Sequence, residues 1–308
     1  MSDFIQIINN EFGTHLYRNT NGRYVVRLKP DGIKARAETI SKLKHLKNRE
    51  LSIIPENVDG KPLDIIKVIE AFPKLVGLEI DNNCVNLEAI YDAKYLDSLS
   101  IRHVSNLNNL KLGQLKKLKC ITFDKTTSLE NLGEELSQVE ALSIWHISKS
   151  LGQFEVLSKF PNLKWLTVAF CELSSLEGLC NTKSLLYLDL AYLRKLKSLR
   201  NISYVGSSLL ELSLDSCREI EGNDGLNKLA NLRSLYVANW NQFVDLKFCE
   251  NLELLESFLF SGVDVKDGNI SRLFKLKNLK SIVYTSKKHF DVKLPVFEKM
   301  LKESRKLR

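Results

Sequence analysis

Apolar residues recur along this chain as a ladder. The segment Leu75-Val-Gly-Leu78-Glu-Ile80, apolar at its first, fourth and sixth places, returns in recognisable form from Leu96, Leu118, Val139, Leu163, Leu185, Leu209, Leu232, Leu255 and Leu279. Successive starts are 21, 22, 21, 24, 22, 24, 23, 23 and 24 residues apart. The fourth and sixth places lie two residues apart, so on a strand they share one face. Each segment therefore predicts a short strand with that pair turned inward and its neighbours turned outward. Self-similarity at a fixed period means stacked units, none of which buries its apolar face alone. The return segments repeat as well: in Phe72-Pro-Lys-Leu75 and Phe160-Pro-Asn-Leu163 a proline leads the chain back into the strand without needing a backbone donor.

The flanks have a different texture. Phe4-Ile-Gln-Ile7, His15-Leu-Tyr-Arg18 and Arg23-Tyr-Val-Val-Arg-Leu28 alternate as strands do, and Asn21-Gly22 offers a positive-φ turn between the last two. Over residues 33–47, Ile33, Ala37, Ile40, Leu43 and Leu46 fall on one face of a helix whose other face is charged. Residues 1–50 are thus expected to form a capping hairpin and helix. Leu51-Ser-Ile53 reads as a degenerate first rung, and the segment from Pro62 to Phe72 as a helix on the convex side. Val296 to Leu307 reads as a short helix following Pro295, expected to cover the last rung within a cap of residues 287–308. Between the caps lies a solenoid of about ten repeats, residues 51–286.

The run Leu75-x-x-Leu78-x-Ile80-x-x-Asn83-x-Val85 follows the leucine-rich repeat signature place by place, so the chain resembles that family over residues 51–286. The period of 21 to 24 residues is similar to that of bacterial surface-adhesion and phosphatase-regulator solenoids. The resemblance implies an α/β horseshoe: a concave parallel sheet, short convex helices, and a concave face normally used to bind protein. One departure stands out. The family's ninth-place asparagine, which ties the turn backbone together, occurs only as Asn83; later repeats hold Val104, Thr126, Ile147, Cys171, Leu193, Cys217, Trp240 and Val263 there. Cysteine is a known stand-in, but Leu193 and Trp240 are not, so irregular turns are expected after the sixth and eighth rungs.

Composition narrows the function. The six cysteines are scattered without a C-x-x-C pair, which predicts reduced core thiols rather than bridges or a zinc site. The N-terminus has no basic start followed by an apolar run, and nowhere do eighteen apolar residues follow one another, so a cytoplasmic location is expected. The fourteen glycines never form G-x-G, and no phosphate loop, nucleophile elbow or H-E-x-x-H occurs. The expectation is a protein that is not an enzyme and uses neither cofactor nor metal.

The net charge of +8 suggests a phosphate-rich partner until it is located. Residues 1–50 carry ten Lys/Arg against five Asp/Glu, and residues 287–308 eight against three, leaving the body at −2. The outward places of the rungs reverse the sign. At the third, fifth, seventh and eighth places the acids are Glu79, Asp81, Asp124, Asp189, Glu211 and Asp215, whereas the bases are Arg102 and Lys125. The same columns hold Trp145, His146, Trp165, Phe170, Tyr187, Tyr192 and Tyr236, with Trp240 just beyond. Clustered exposed aromatics are unusual on a monomer, and Trp and Tyr dominate binding hot spots. They could instead shield the sheet backbone, or turn inward where the ninth asparagine is missing. The candidate partner-binding set is Asp124, Trp145, His146, Trp165, Phe170, Tyr187, Asp189, Tyr192, Glu211, Asp215, Tyr236 and Trp240. Acids around aromatics on a basic chain point to a protein partner with a basic surface, as a cytosolic inhibitor or immunity protein against a toxin would require. A regulatory subunit or assembly adaptor would use the same face. RNA or anionic-surface binding through the basic caps is the alternative.

Overall fold

The computed structural model describes residues 5–7, 16–18, 24–28, 33, 51–55, 61–104, 107, 110–126, 129, 132–147 and 151–306. The expected Asn21-Gly22 turn and all but Ile33 of the expected helix over 33–47 lie outside them. Two compact units divide the chain, Met1–Val139 and Glu140–Arg308.

In the first unit β1 (Ile5–Ile7), β2 (Leu16–Arg18) and β3 (Tyr24–Leu28) pair antiparallel in sequence. Strand β3 then pairs in parallel with β4 (Leu51–Pro55), where the ladder begins. After β5 (Leu63–Asp64) the parallel series continues from β4 through β6 (Gly77–Ile80), past the short β7 (Cys84–Val85), to β8 (Ser98–Arg102) and β9 (Cys120–Asp124).

The second unit is parallel throughout its main sheet. Strands β10 (Ala141–Trp145), β11 (Trp165–Ala169), β12 (Tyr187–Ala191), β13 (Glu211–Asp215) and β14 (Ser234–Ala238) stack in register, five residues each. After the short β15 (Gln242–Phe243) the sheet runs on through β16 (Ser257–Ser261) and, past β17 (Asp264–Val265), to β18 (Ser281–Tyr284). The fourth and sixth places of each rung, such as Leu166 and Val168 or Leu188 and Leu190, are buried as the pattern requires. Burying each such side chain contributes roughly 1.5–3 kcal/mol relative to exposure.

The return segments are tighter than the expected convex helices. Among the described residues only α1 (Ile65–Ala71) is an α-helix there; Asp64 caps it by accepting the Ile66 N–H at 3.1 Å. The others are short 3-10 turns, including Leu87–Asp92, Glu155–Lys159, Glu177–Asn181, Arg200–Val205 and Lys247–Asn251. The sequence holds the reason. Buried residues recur three apart, as in Leu176 and Leu179, Leu199, Ile202 and Val205, or Leu246, Cys249 and Leu252. That spacing lines up one face at three residues per turn. Gly178 lets two such turns pack closely: its N–H donates to Gln153 O at 2.8 Å, and a Cβ would collide with the Phe154 carbonyl.

The ninth place departs from expectation at both ends of the comparison. Asn83 is half-buried, and Cys84 beside it takes the interior position. Leu193 makes no irregular turn: it is buried, and the residue before it has the same left-handed φ as in neighbouring rungs. Cys171 and Cys217 do what the resemblance implied, donating Sγ–H to Ala169 O at 3.1 Å and to Leu190 O and Asp215 O at 3.5 Å. Thr126 is buried too, but its hydroxyl meets no partner among the described residues.

At the far end α2 (Leu294–Lys306) begins one residue before Pro295, which occupies a first-turn place where no donor is needed. Its Phe297 is fully buried, stacked on Phe274 at 4.2 Å between ring centroids and edge-on to Tyr284.

Candidate functional site

Each strand of the second unit's main sheet from β10 to β16 is followed by a residue with a left-handed backbone. His146, Phe170, Tyr192, Ser216, Asn239 and Gly262 have φ of 50°, 55°, 54°, 54°, 51° and 65°. A side chain in this conformation costs roughly 1–2 kcal/mol. The ladder compensates: the N–H of His146 donates to Ala169 O, that of Phe170 to Ala191 O and that of Tyr192 to Asp215 O, at 2.9 to 3.1 Å. The pairing thus continues one residue past the strands. Because the rungs are in register, three aromatic residues in one column must meet at the strand spacing of about 4.8 Å. His146 stacks on Phe170 at 4.7 Å, and Phe170 on Tyr192 at 4.4 Å, with the planes within 11° of parallel. Trp145 leans against Phe170 at 6.4 Å.

A second stack stands at the other end of the same strands. Trp165 and Tyr187 are register partners in β11 and β12, and their rings stack at 3.9 Å. Trp165 is 50% exposed, Phe170 43% and Tyr192 40%, so neither stack is covered. Glu211, next in the register after Tyr187, is exposed as well.

Between the stacks the floor is small and polar. Thr167, Asp189, Ser213 and Tyr236 follow one another in register, beside Ala169, Ala191, Asp215 and Ala238. Asp189 accepts a hydrogen bond from Ser213, yet burial pushes its carboxyl above the ordinary aspartate value, helped by the charge of Asp215. The Asp215 Oδ1 accepts from the Ser216 hydroxyl at 2.9 Å and from Asn239 Nδ2 at 3.0 Å. Among the described residues neither carboxylate forms an ion pair with a side chain, and the positive charge of the amino terminus acts on Asp189 in the lowering direction. The Tyr236 phenol is also pushed up, by burial first and then by Asp215 and Asp189.

Two candidate residues are not part of this face. Trp240 is only 3% exposed: its indole N–H donates to Ile220 O at 3.1 Å and its ring meets Phe243 edge-on. A large side chain fills the turn left open by the missing asparagine, and the donor it carries finds a buried carbonyl. Asp124 lies in the first unit, where Arg102 Nε donates to it at 3.1 Å. The remaining ten, Trp145, His146, Trp165, Phe170, Tyr187, Asp189, Tyr192, Glu211, Asp215 and Tyr236, all lie on one sheet of the second unit.

The sequence reading passed over Leu186 and Leu210. At the second place of the rungs Lys164 pairs with Glu140 at 2.8 Å, and Glu256 with both Arg233 at 3.0 Å and Lys280 at 2.6 Å. Half-buried Leu186 and Leu210 interrupt this row next to Tyr187 and Glu211 in the chain. The break in an otherwise alternating column of charge was the signal.

Parallel rungs at 21-to-24-residue spacing, each closed by one left-handed residue and a short return turn, decide the architecture. It is a leucine-rich repeat fold. No protein-family model matches the chain, and no curated protein sequence does. Among solved structures it is similar to an internalin, InlF, from Listeria monocytogenes, with 14% identity over 88% of this chain and 90% of that one, TM-score 0.47. The leucine-rich repeat ectodomain of the receptor kinase GASSHO1/SCHENGEN3 from Arabidopsis thaliana, in complex with Casparian strip integrity factor 2, shows 15% identity over 77% of this chain and 32% of that one, TM-score 0.44. TLR13 in complex with a single-stranded RNA shows 17% identity over 88% and 47%, TM-score 0.42. No metal-binding cluster occurs among the described residues, and no described helix is long and apolar enough to cross a membrane.

Proposed function

We propose that this protein binds another protein, and that the aromatic and acidic sheet face of the second unit is the binding surface. The observation that carries the reading is the pair of uncovered ring stacks, Trp165 on Tyr187 and His146 on Phe170 on Tyr192. Exposed aromatic clusters of this kind supply large contact area at low entropic cost, and truncating central ones costs the most affinity. Asp189, Glu211 and Asp215 favour a partner with a basic surface and steer its approach. An inhibitor of a basic toxin enzyme and an adaptor subunit would both use this face; the identity of the captured protein separates them.

The test is affinity capture from the native cell with the wild-type chain and with Trp165→Ala and Tyr192→Ala. Each substitution is expected to leave unfolding cooperative and to weaken the wild-type-specific complex by about 2 kcal/mol or more. Retained binding in both, together with loss on Lys/Arg→Glu changes in residues 287–308, would transfer the function to the basic end. A steep log-linear loss with salt would then identify a phosphate-bearing partner.

A further inference from the structure

The first unit holds a small arrangement that the second repeats with two of its four places changed. Glu79 and Ser100 are register partners at the fifth place, and Arg102 and Asp124 are register partners at the seventh. The Arg102 guanidinium spans both acids: Nη1 donates to Glu79 at 3.2 Å and Nε to Asp124 at 3.1 Å. In the second unit the same places hold Asp189, Ser213, Asp215 and Ala238. The fifth-place acid and its serine recur, the arginine is an aspartate, and the acid beyond it is an alanine.

Asp189 and Asp215 sit one rung and two residues apart, so their Cα atoms are about 8 Å from one another, the separation of Glu79 from Arg102. Both carboxylates are anchored, by Ser213 and by Ser216 and Asn239. Alanine at 238 leaves the neighbouring place without a long side chain. Tyr192 and Tyr236 stand to either side in sequence register, 40% and 36% exposed. A cation arriving from outside meets two fixed acceptors and two ring faces.

We propose that this face docks an arginine-bearing segment of a protein partner, the guanidinium seated between Asp189 and Asp215 and against the rings of Tyr192 and Tyr236. The proposal rests on the reading that the aromatic face is the binding surface, and names the partner's determinant. Arginine fits better than lysine for the reason visible at Arg102. Its planar fork presents separate N–H groups to two carboxylates, and its weakly hydrated plane stacks on aromatic rings; an ammonium is a strongly hydrated point charge. The flanking stacks and the gap at Leu186 and Leu210 offer apolar contact to the rest of the segment, which a free small cation would not use.

Tryptophan fluorescence and calorimetry on the full chain, with acetyl-Gly-Arg-Gly-Arg-Gly amide and its lysine and citrulline counterparts at low salt, test the assignment. The arginine peptide is expected to bind roughly fivefold or more tighter than the lysine peptide, and the citrulline peptide to show no binding. Asp215→Arg, which restores the first unit's pairing of a fifth-place acid with an arginine, should abolish arginine-peptide binding while the circular dichroism stays native. Should that variant misfold, Asp189→Asn with Asp215→Asn gives the same readout. Equal binding of the arginine and lysine peptides, absence of arginine-peptide binding, or binding unchanged by the Asp215 and Asp189 substitutions would overturn the proposal. The two readings fail separately. If the captured partner is lost on Trp165→Ala but kept on Asp215→Arg, the aromatic surface stands and the arginine assignment falls; if it is kept on both, both fall.

Discussion

Glu79, Ser100, Arg102 and Asp124 in the first unit and Asp189, Ser213, Asp215 and Ala238 in the second occupy the same four places of adjoining rungs. In one the acids close on an arginine of their own chain; in the other they close on hydroxyls and an amide. The eighth place tells the same story. His103 and Lys125 have the left-handed backbone of Phe170 and Tyr192, yet only in the second unit does the column become a stack of rings. A repeat scaffold fixes positions, and the residues placed there decide whether a patch completes itself or waits for a partner.

The largest effect expected from breaking this comparison lies in the first unit. Burial outweighs Arg102 at Glu79, whose carboxyl still sits above the ordinary glutamate value, whereas Arg102 gains from both acids and is held above its own. Removing the guanidinium therefore leaves a largely buried acid with only the Ser100 hydroxyl, 3.5 Å away, to offset its desolvation. Arg102→Ala should cost about 2 kcal/mol, less than for a fully buried pair because more than a third of the arginine is open to solvent. Urea midpoints at constant m-value measure it. A loss no larger than that of an exposed lysine substitution would show that the first arrangement is not self-completing.

A second contrast falls at the ninth place. Cys171 satisfies itself on backbone carbonyls, whereas the buried Thr126 hydroxyl has no partner among the described residues. Thr126→Val keeps the shape and removes the orphan, so it should raise stability by about 1 kcal/mol, while Cys171→Ala should lower it. Opposite signs in chemical denaturation would support the distinction; two losses would mean that the threonine hydroxyl is used.

These pairs mark how far the sequence could be read. The rungs were legible because a spacing of two residues reports directly on which side chains share a face; the 3-10 return turns were not, because a three-residue spacing over so short a segment is hard to tell from the expected convex helix. The candidate face was legible column by column, since in-register parallel strands carry a column in sequence into a row in space. Trp240 was not, because the direction of a ninth-place side chain depends on the volume its turn leaves unfilled. Asp124 was not, because an acid in an outward column can be claimed by a base at the same place one rung earlier. Its pairing with Arg102 needed the register.

The smallest expected effect is the most specific. Asp189 carries a folded-state pKa above its unfolded value, set first by burial and then by Asp215. The folded chain thus holds this proton more tightly than the unfolded one, and stability falls as pH rises through the window between the two values. Asp189→Asn removes that penalty. At neutral pH the variant should be more stable by a few tenths of a kcal/mol, and the gain should vanish below the ordinary aspartate value, where both states are protonated. Arg102→Ala and Asp189→Asn would then move stability in opposite directions from equivalent neighbourhoods. A binding residue whose removal steadies the free protein is one whose charge is met elsewhere. If Asp189→Asn instead destabilised the fold at neutral pH, Asp189 would be a structural acceptor for Ser213, and the contrast between the two units would reduce to a difference in hydrogen bonding.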